Sequence, residues 1–180
     1  MPLPRRHLLA ASAGVLLPPC ITRAAPAAVD APNYIEISPT LATSGQPSAE
    51  ALQSLAAQGF QAVVYLAPGT VPNAVANEGE LLARQGIEFV HIPINFGTPE
   101  ASHVEAVAAA LHRLQGRKVL VHCEINMRAS SMVFLYRVIE LHEAPAAAYE
   151  AVARVWSPRG PWRRLIVEQL ARHQISFDPY

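Results

Sequence analysis

The stretch "VLVHCEINMRASSM", residues 119–132, passes from an apolar run through a polar loop into the head of a helix. With Lys118, "KVLVHC" has the continuous apolar character of a strand covered on both faces, as at the centre of a parallel sheet. Cys123 closes that run, and Arg128 stands five positions later, where the helical pattern "RASSMVFLYRVIELHE" begins. A turn from strand to helix aims several backbone N–H groups at one point, and the helix dipole adds partial positive charge there. A thiol at that point is stabilised as thiolate, and Arg128 adds a full charge and a planar fork for oxyanions. Two readings compete: a nucleophile with its anion clamp, or a buried cysteine that merely ends a core strand.

Outward from this stretch, strands and helices alternate without repeats or low-complexity linkers. "NYIEIS" (33–38) reads as a short strand, and "SGQPSAEALQSLAAQGF" (44–60) as a turn and a helix capped near Ser48 and stopped at Gly59. "FQAVVYLAP" is a strand by its β-branched and aromatic content, "ANEGELLARQG" a short helix ending at Gly86, and "IEFVHIPI" the next strand. "TPEASHVEAVAAALHRLQG" reads as a helix with Thr98 as N-cap and Gly116 as stop. Beyond the helix that carries Arg128, "PAAAYEAVARVW" and "PWRRLIVEQLARHQI" add two more. The alternation implies an α/β domain with helices packed on a central, mostly parallel sheet. In such sheets ligands bind beyond the carboxyl ends of the strands, which is where Cys123 falls.

The chain's 180 residues suit one domain with a real core. Its first residues belong to a different class of signal. Arg5 and Arg6 precede an apolar run from Leu8 to Leu17, closed by Pro18 and Pro19 and followed by small residues to Ala28. That pattern is a secretory signal peptide over residues 1–25, and the run is too short to span a membrane. The arginine pair also resembles a twin-arginine signal. The expected location is therefore exported and periplasmic, with no stable membrane span after processing.

Removing 1–25 takes Arg5, Arg6 and Arg23 from the 14 basic residues and none of the 14 acidic ones, leaving 11 against 14. No basic stripe remains to argue for nucleic acid. Cys20 leaves as well, so Cys123 becomes the only cysteine. A lone thiol in an oxidising compartment is a liability unless it is buried or used.

Here the residues carry a resemblance. "VHCEINMRAS" is similar to the H-C-x5-R-[ST] loop of the dual-specificity and tyrosine phosphatase superfamily. "SGQPSAEALQSLAAQGFQAVVYLAP" looks like the opening of its bacterial branch with an S-G-Q-P segment, and "VHIPINFGTPE" and "VWSPRGPW" fall at comparable segments. The likeness extends from about Asn33 to the end, and it implies a phosphatase-like three-layer domain over residues 26–180. It also implies thiolate attack on a phosphate monoester, a phosphocysteine intermediate and hydrolysis by water. On that mapping Cys123 is the nucleophile and Arg128 binds the phosphoryl oxygens. Backbone N–H groups of Glu124, Ile125, Asn126, Met127 and Arg128 form the cradle, and Ser130 or Ser131 hydrogen-bonds the departing sulfur. Asn126 stands where a glycine usually provides an unusual backbone angle, which asparagine tolerates.

Two departures stand out. The loop holds four residues between Cys123 and Arg128, not five, a length also seen in rhodanese-like sulfurtransferases, whose ring resembles a cradle for a persulfide. The family's general acid is an aspartate on the loop after the preceding strand, and "PINFGTPE" offers Asn95 instead. Asp30 and Asp178 are the chain's only aspartates, so Glu100 is the first substitute, with His91 and His103 behind it. Glu124 lies nearer the thiol, but its charge opposes a thiolate if it points inward, so it is expected to point out.

Arg159, Arg163 and Arg164 beside Trp156 and Trp162 either rim the pocket or pack as cation–π lids. His112, His142 and His173 show no metal-ligand spacing, and no cofactor or metal is called for. The expected function is an exported cysteine-dependent phosphatase acting on a phosphorylated small molecule or phosphoprotein. The alternatives are sulfur transfer through a Cys123 persulfide, and a non-catalytic oxyanion-binding module, which Asn95 favours.

Overall fold

The computed structural model describes residues 28–180, and the signal peptide expected over 1–25 lies outside them. The strands are β1 (Ile35–Ser38), β2 (Leu41–Ser44), β3 (Ala62–Tyr65), β4 (Glu88–His91) and β5 (Val119–His122). The helices are α1 (Ala49–Gln53), α2 (Glu78–Ala83), α3 (Ala101–Arg113), α4 (Met127–Ile139), α5 (Pro145–Ala153) and α6 (Gly160–Arg172). They build one mixed sheet in the order β1-β2-β5-β3-β4, in which only the β1–β2 pair is antiparallel among the described residues. The α/β reading with a mostly parallel sheet therefore holds, and "KVLVHC" holds the central strand.

Side-chain alternation sorts the sheet into two faces. Val63 and Leu120 join Leu52, Leu55 and Leu82 in the core under α1 and α2. Their neighbours Val64, Val119 and Val121 join the larger core, which contains residues of α3, α4, α5 and α6. Trp162, Tyr149 and Phe134 are the bulkiest of its fully buried side chains. Helix α4 is buried on nearly every side, as its unbroken apolar run requires, because α3, α5 and α6 all pack against it. No described helix is long and apolar enough to cross a membrane.

Three local readings change. Strand β2, "LATS", is absent from the sequence reading; four residues with two hydroxyls carry no strand signal, yet Thr43 and Ser44 are fully buried between β1 and β5. The segment from Ser48 to Gly59 is capped by Ser48 as expected, but its helix ends at Gln53. There the Ser54 hydroxyl donates to the Ala51 carbonyl at 2.9 Å, and turns carry the chain on to Gly59, whose φ of 84° makes the final reversal. The N-cap of α3 is Glu100 rather than Thr98. His103 decides this by accepting the Glu100 N–H on Nδ1 at 3.0 Å.

Past the end of β2, Gly45 bridges to Ile125, so the sheet pairing extends to the loop that follows Cys123. A Cβ on Gly45 would stand 2.9 Å from the Pro32 Cβ, 3.0 Å from the Glu124 carbonyl oxygen and 3.0 Å from the Ile125 Cα. Two of those neighbours are main chain and cannot rotate away. Gly45→Ala should therefore cost about 1–3 kcal/mol in urea unfolding. Gly69→Ala, where nothing lies within 4 Å, should stay within about 0.5 kcal/mol. Equal midpoints for the two variants would show that the close approach carries no strain.

Candidate active site

Cys123 is fully buried at the carboxyl end of β5, its N–H donating to the Ser44 carbonyl at 3.2 Å. Of the four residues that separate it from Arg128, the first two are held by their carbonyls. The Glu124 carbonyl accepts from the Gln46 N–H at 3.1 Å and from Asn73 Nδ2 at 3.0 Å. The Ile125 carbonyl accepts from Asn33 Nδ2 at 3.0 Å. Because a peptide is planar and trans, pulling the Glu124 carbonyl one way turns the Ile125 N–H the other way. Asn126 then takes the left-handed conformation expected of it, with φ 73°, and its Nδ2 donates to the Asn33 carbonyl at 2.6 Å and to Thr43 Oγ1 at 3.1 Å.

Helix α4 begins at Met127 with no side chain capping it. Its first N–H groups have no intrahelical acceptor, and with the dipole they make a ready site for an anion. Met127 and Arg128 belong to that turn. The Ser130 hydroxyl bends back to the Met127 carbonyl at 3.3 Å, whereas Ser131 Oγ is buried without a partner among the described residues. Of the two serines, Ser131 is the one with a hydroxyl left to give.

The Arg128 side chain is 5% exposed and fixed on two sides. Its Nε donates to the Ile94 carbonyl at 3.0 Å, and its Cζ lies 5.0 Å from the centre of the Phe96 ring. The terminal nitrogens make no hydrogen bond among the described residues. Glu124 Oε2 lies 3.6 Å from Arg128 Nη1, with about a third of the Glu124 side chain exposed (35%). The guanidinium four residues on in the chain attracts this carboxylate.

The loop after β4 offers no acid at the expected place. Asn95 is exposed, and its Oδ1 accepts the Gly97 N–H at 2.9 Å in a local turn. Glu100 is also exposed, its Oε2 accepting from the Ser102 hydroxyl at 3.4 Å; no bond ties it to Cys123 or Arg128 among the described residues. His103 serves the α3 cap, and His91 bonds the Ala67 carbonyl at 2.8 Å through Nε2. The tryptophans pack on Phe96 instead of on arginines. Trp156 and Trp162 lie 5.7 and 5.6 Å from the Phe96 ring, and Trp162 Nε1 donates to the Phe96 carbonyl at 2.9 Å. Arg163 pairs with Asp178.

One buried cluster escaped the sequence. His122 Nε2 lies 2.7 Å from Glu78 Oε1, and Glu78 Oε2 accepts from Gln46 Nε2 at 2.9 Å. Glu78 sits in the first turn of α2, where an acid reads simply as a complement to the dipole. Asn33 and Asn73 likewise look like loop asparagines. Only the S-G-Q-P segment carried a usable signal, in Gly45 and Gln46.

Comparisons with known proteins bear on the family and the fold. The model of the family described as "DSP-PTPase phosphatase fused to NAD+ Kinase" matches residues 30–158. A beta-lactamase hydrolase-like protein of Xylella fastidiosa (strain Temecula1 / ATCC 700964) is 30% identical over 111 residues, 60% of this chain and 26% of that protein. The chain thus spans about a quarter of that relative's length. A solved DUF442 protein of Shewanella putrefaciens CN-32, named as a candidate phosphatase, superposes with a TM-score of 0.73 at 28% identity, over 79% of this chain and 91% of that one. PTPMT1, solved in complex with PI(5)P, shares the fold with a TM-score of 0.66 at 19% identity, over 78% and 96% of the two chains.

Tyr65, at the end of β3, reports on this region. Its ring stacks on His122 at 4.7 Å and on His91 at 5.0 Å. Burial, then the charges of Glu78 and Cys123, push its phenol up to about 12, against the pull of Arg128. An unfolded tyrosine loses its proton near pH ~10. Between these values the unfolded chain gives up the proton first, so this contribution to stability is intact below pH ~10 and is lost as pH rises toward ~12. Tyr65→Phe should reduce that alkaline loss and remove the latest phase of a phenolate absorbance titration. An unchanged last phase would place the buried phenol elsewhere.

Proposed function

Because the chain belongs to the DSP-PTPase phosphatase family whose model it matches, we propose that it hydrolyses phosphate monoesters through a phosphocysteine formed on Cys123. The observation that carries this reading is the pairing of a buried cysteine at a strand end with an uncapped helix whose first turn holds Arg128. The Cys123 sulfur attacks phosphorus while Arg128 and the loop N–H groups take the charge of the equatorial oxygens. Ser131 is the hydroxyl available to the departing sulfur. The substrate is a phosphorylated small molecule or phosphoprotein, reached after export directed by residues 1–25. A fusion of residues 1–28 to a reporter that is active only outside the cytoplasm tests that export.

Cys123→Ser should abolish turnover yet keep oxyanion binding, since the backbone cradle does not depend on sulfur. Arg128→Lys should lose about 10²-fold or more in turnover and much of its tungstate affinity, because an ammonium replaces a planar fork. Mass spectrometry of Cys123 after brief exposure to an aryl phosphate or to thiosulfate separates the chemistries. A phosphoryl adduct is expected. A persulfide with no phosphoryl adduct would favour sulfur transfer, for which the four-residue loop is the feature in favour. No adduct with either reagent would leave an oxyanion-binding module.

A further inference from the structure

Phosphoryl transfer to Cys123 leaves an alkoxide or aryloxide that needs a proton, and Asn95 has none to give. We propose that Glu124 supplies it, acting as general acid toward the leaving group and then as general base toward water. The proposal rests on the phosphatase reading above. Glu124 Oε2 lies 3.6 Å from Arg128 Nη1, so this carboxylate already stands at the guanidinium that receives the phosphoryl oxygens. Among the described residues no other carboxylate pairs with Arg128. Glu78 is 5% exposed and holds His122 and Gln46, and Glu100 belongs to the cap of α3.

The anchor of Glu124 is fixed, while its carboxylate makes no hydrogen bond among the described residues besides its ion pair with Arg128. Its carbonyl is held by the Gln46 N–H and by Asn73 Nδ2, so the main chain stays put as the carboxylate moves. The side chain is 35% exposed, which allows exchange of protons and entry of water at the same atom. When a phosphate monoester arrives, its oxygens and the carboxylate meet at one guanidinium. A proton on Glu124 relieves that repulsion and lies beside the oxygen about to leave.

The balance is as follows. The Cys123 sulfur forms an S–P bond as the ester P–O bond breaks, and that bond's electron pair goes to the leaving oxygen. The oxygen takes the Glu124 proton and departs as an alcohol. The Glu124 carboxylate then takes a proton from water, whose oxygen bonds phosphorus as the S–P bond breaks. Phosphate leaves, Cys123 is again a thiolate, and Glu124 again carries a proton.

The test compares the parent with Glu124→Gln, Glu124→Asp and Glu100→Gln on phenyl phosphate and its nitrated analogues, following phosphocysteine formation by rapid quench. Glu124→Gln should slow phenyl phosphate by about 10²-fold or more and the dinitrophenyl ester far less, with tungstate affinity retained. Glu124→Asp should recover part of the loss. In the parent, the rate with phenyl phosphate should fall as rising pH removes the proton of the general acid while that with the dinitrophenyl ester does not, a measurement that needs no variant. The proposal is overturned if the parent shows no such difference, or if Glu124→Gln keeps the parent's leaving-group dependence. It is also overturned if Glu124→Gln speeds all substrates alike, which marks a competitor for Arg128, or if Glu100→Gln alone steepens the dependence. Absence of phosphocysteine in the parent with every ester would instead sink the phosphatase reading itself.

Discussion

The close passage of Gly45 over the Glu124–Ile125 peptide sets the shape of everything at the carboxyl end of the sheet. A side chain there would meet main-chain atoms at 3.0 Å, so the approach is open only to glycine. It lets the Gln46 N–H reach the Glu124 carbonyl and brings Thr43 to Asn126. With four residues between nucleophile and arginine, the loop has little slack. The donors that hold it come from outside it: Gln46 and the asparagines Asn33 and Asn73. Each such bond contributes about 1 kcal/mol net, and their sum holds the N–H groups in place before any anion arrives.

That arrangement also explains Asn126. Glycine at this position would adopt the same angle without strain, but it could not donate to Asn33 and Thr43. Asparagine gives up a little backbone freedom and gains two bonds that pin the start of α4. The helix dipole is then aimed by side-chain amides, and no cap competes with an incoming oxyanion for the first-turn N–H groups.

What was legible in the sequence is what depends on local pattern. The apolar run ending at Cys123, the helix from Arg128 onward, the Ser48 cap and the reversal at Gly59 follow from neighbours in the chain, while the left-handed Asn126 came from the resemblance to the phosphatase loop. Strand β2 was not legible, because Thr43 and Ser44 are buried by β1 and β5, more than a strand's length away in sequence for the latter. Glu78 was not, because only folding brings it to His122. Glu124 was expected to point out, and its pairing with Arg128 was not legible because it depends on the folded loop. The arginines beside the tryptophans were weighed as lids, but Phe96 holds the place on the indoles and Arg128 is the cation on its ring.

Arg128 thereby ties two segments that approach the site from different strands. Its Nε is spent on the Ile94 carbonyl and one face of its plane on Phe96, while Trp162 holds the Phe96 carbonyl from behind. Asn95 stands between two residues fixed in this way, and its own side chain is turned back to Gly97. The loop is therefore a wall that sets the guanidinium plane, and its chemistry ends there. A lysine could carry the charge of Arg128 but could not be oriented by one edge and one face while leaving another edge for phosphate. The loop takes only Nε of Arg128 in a hydrogen bond, so it orients the guanidinium without engaging its terminal nitrogens. Glu124, anchored by its carbonyl and four residues before Arg128, brings its carboxylate to 3.6 Å from one of them, Nη1.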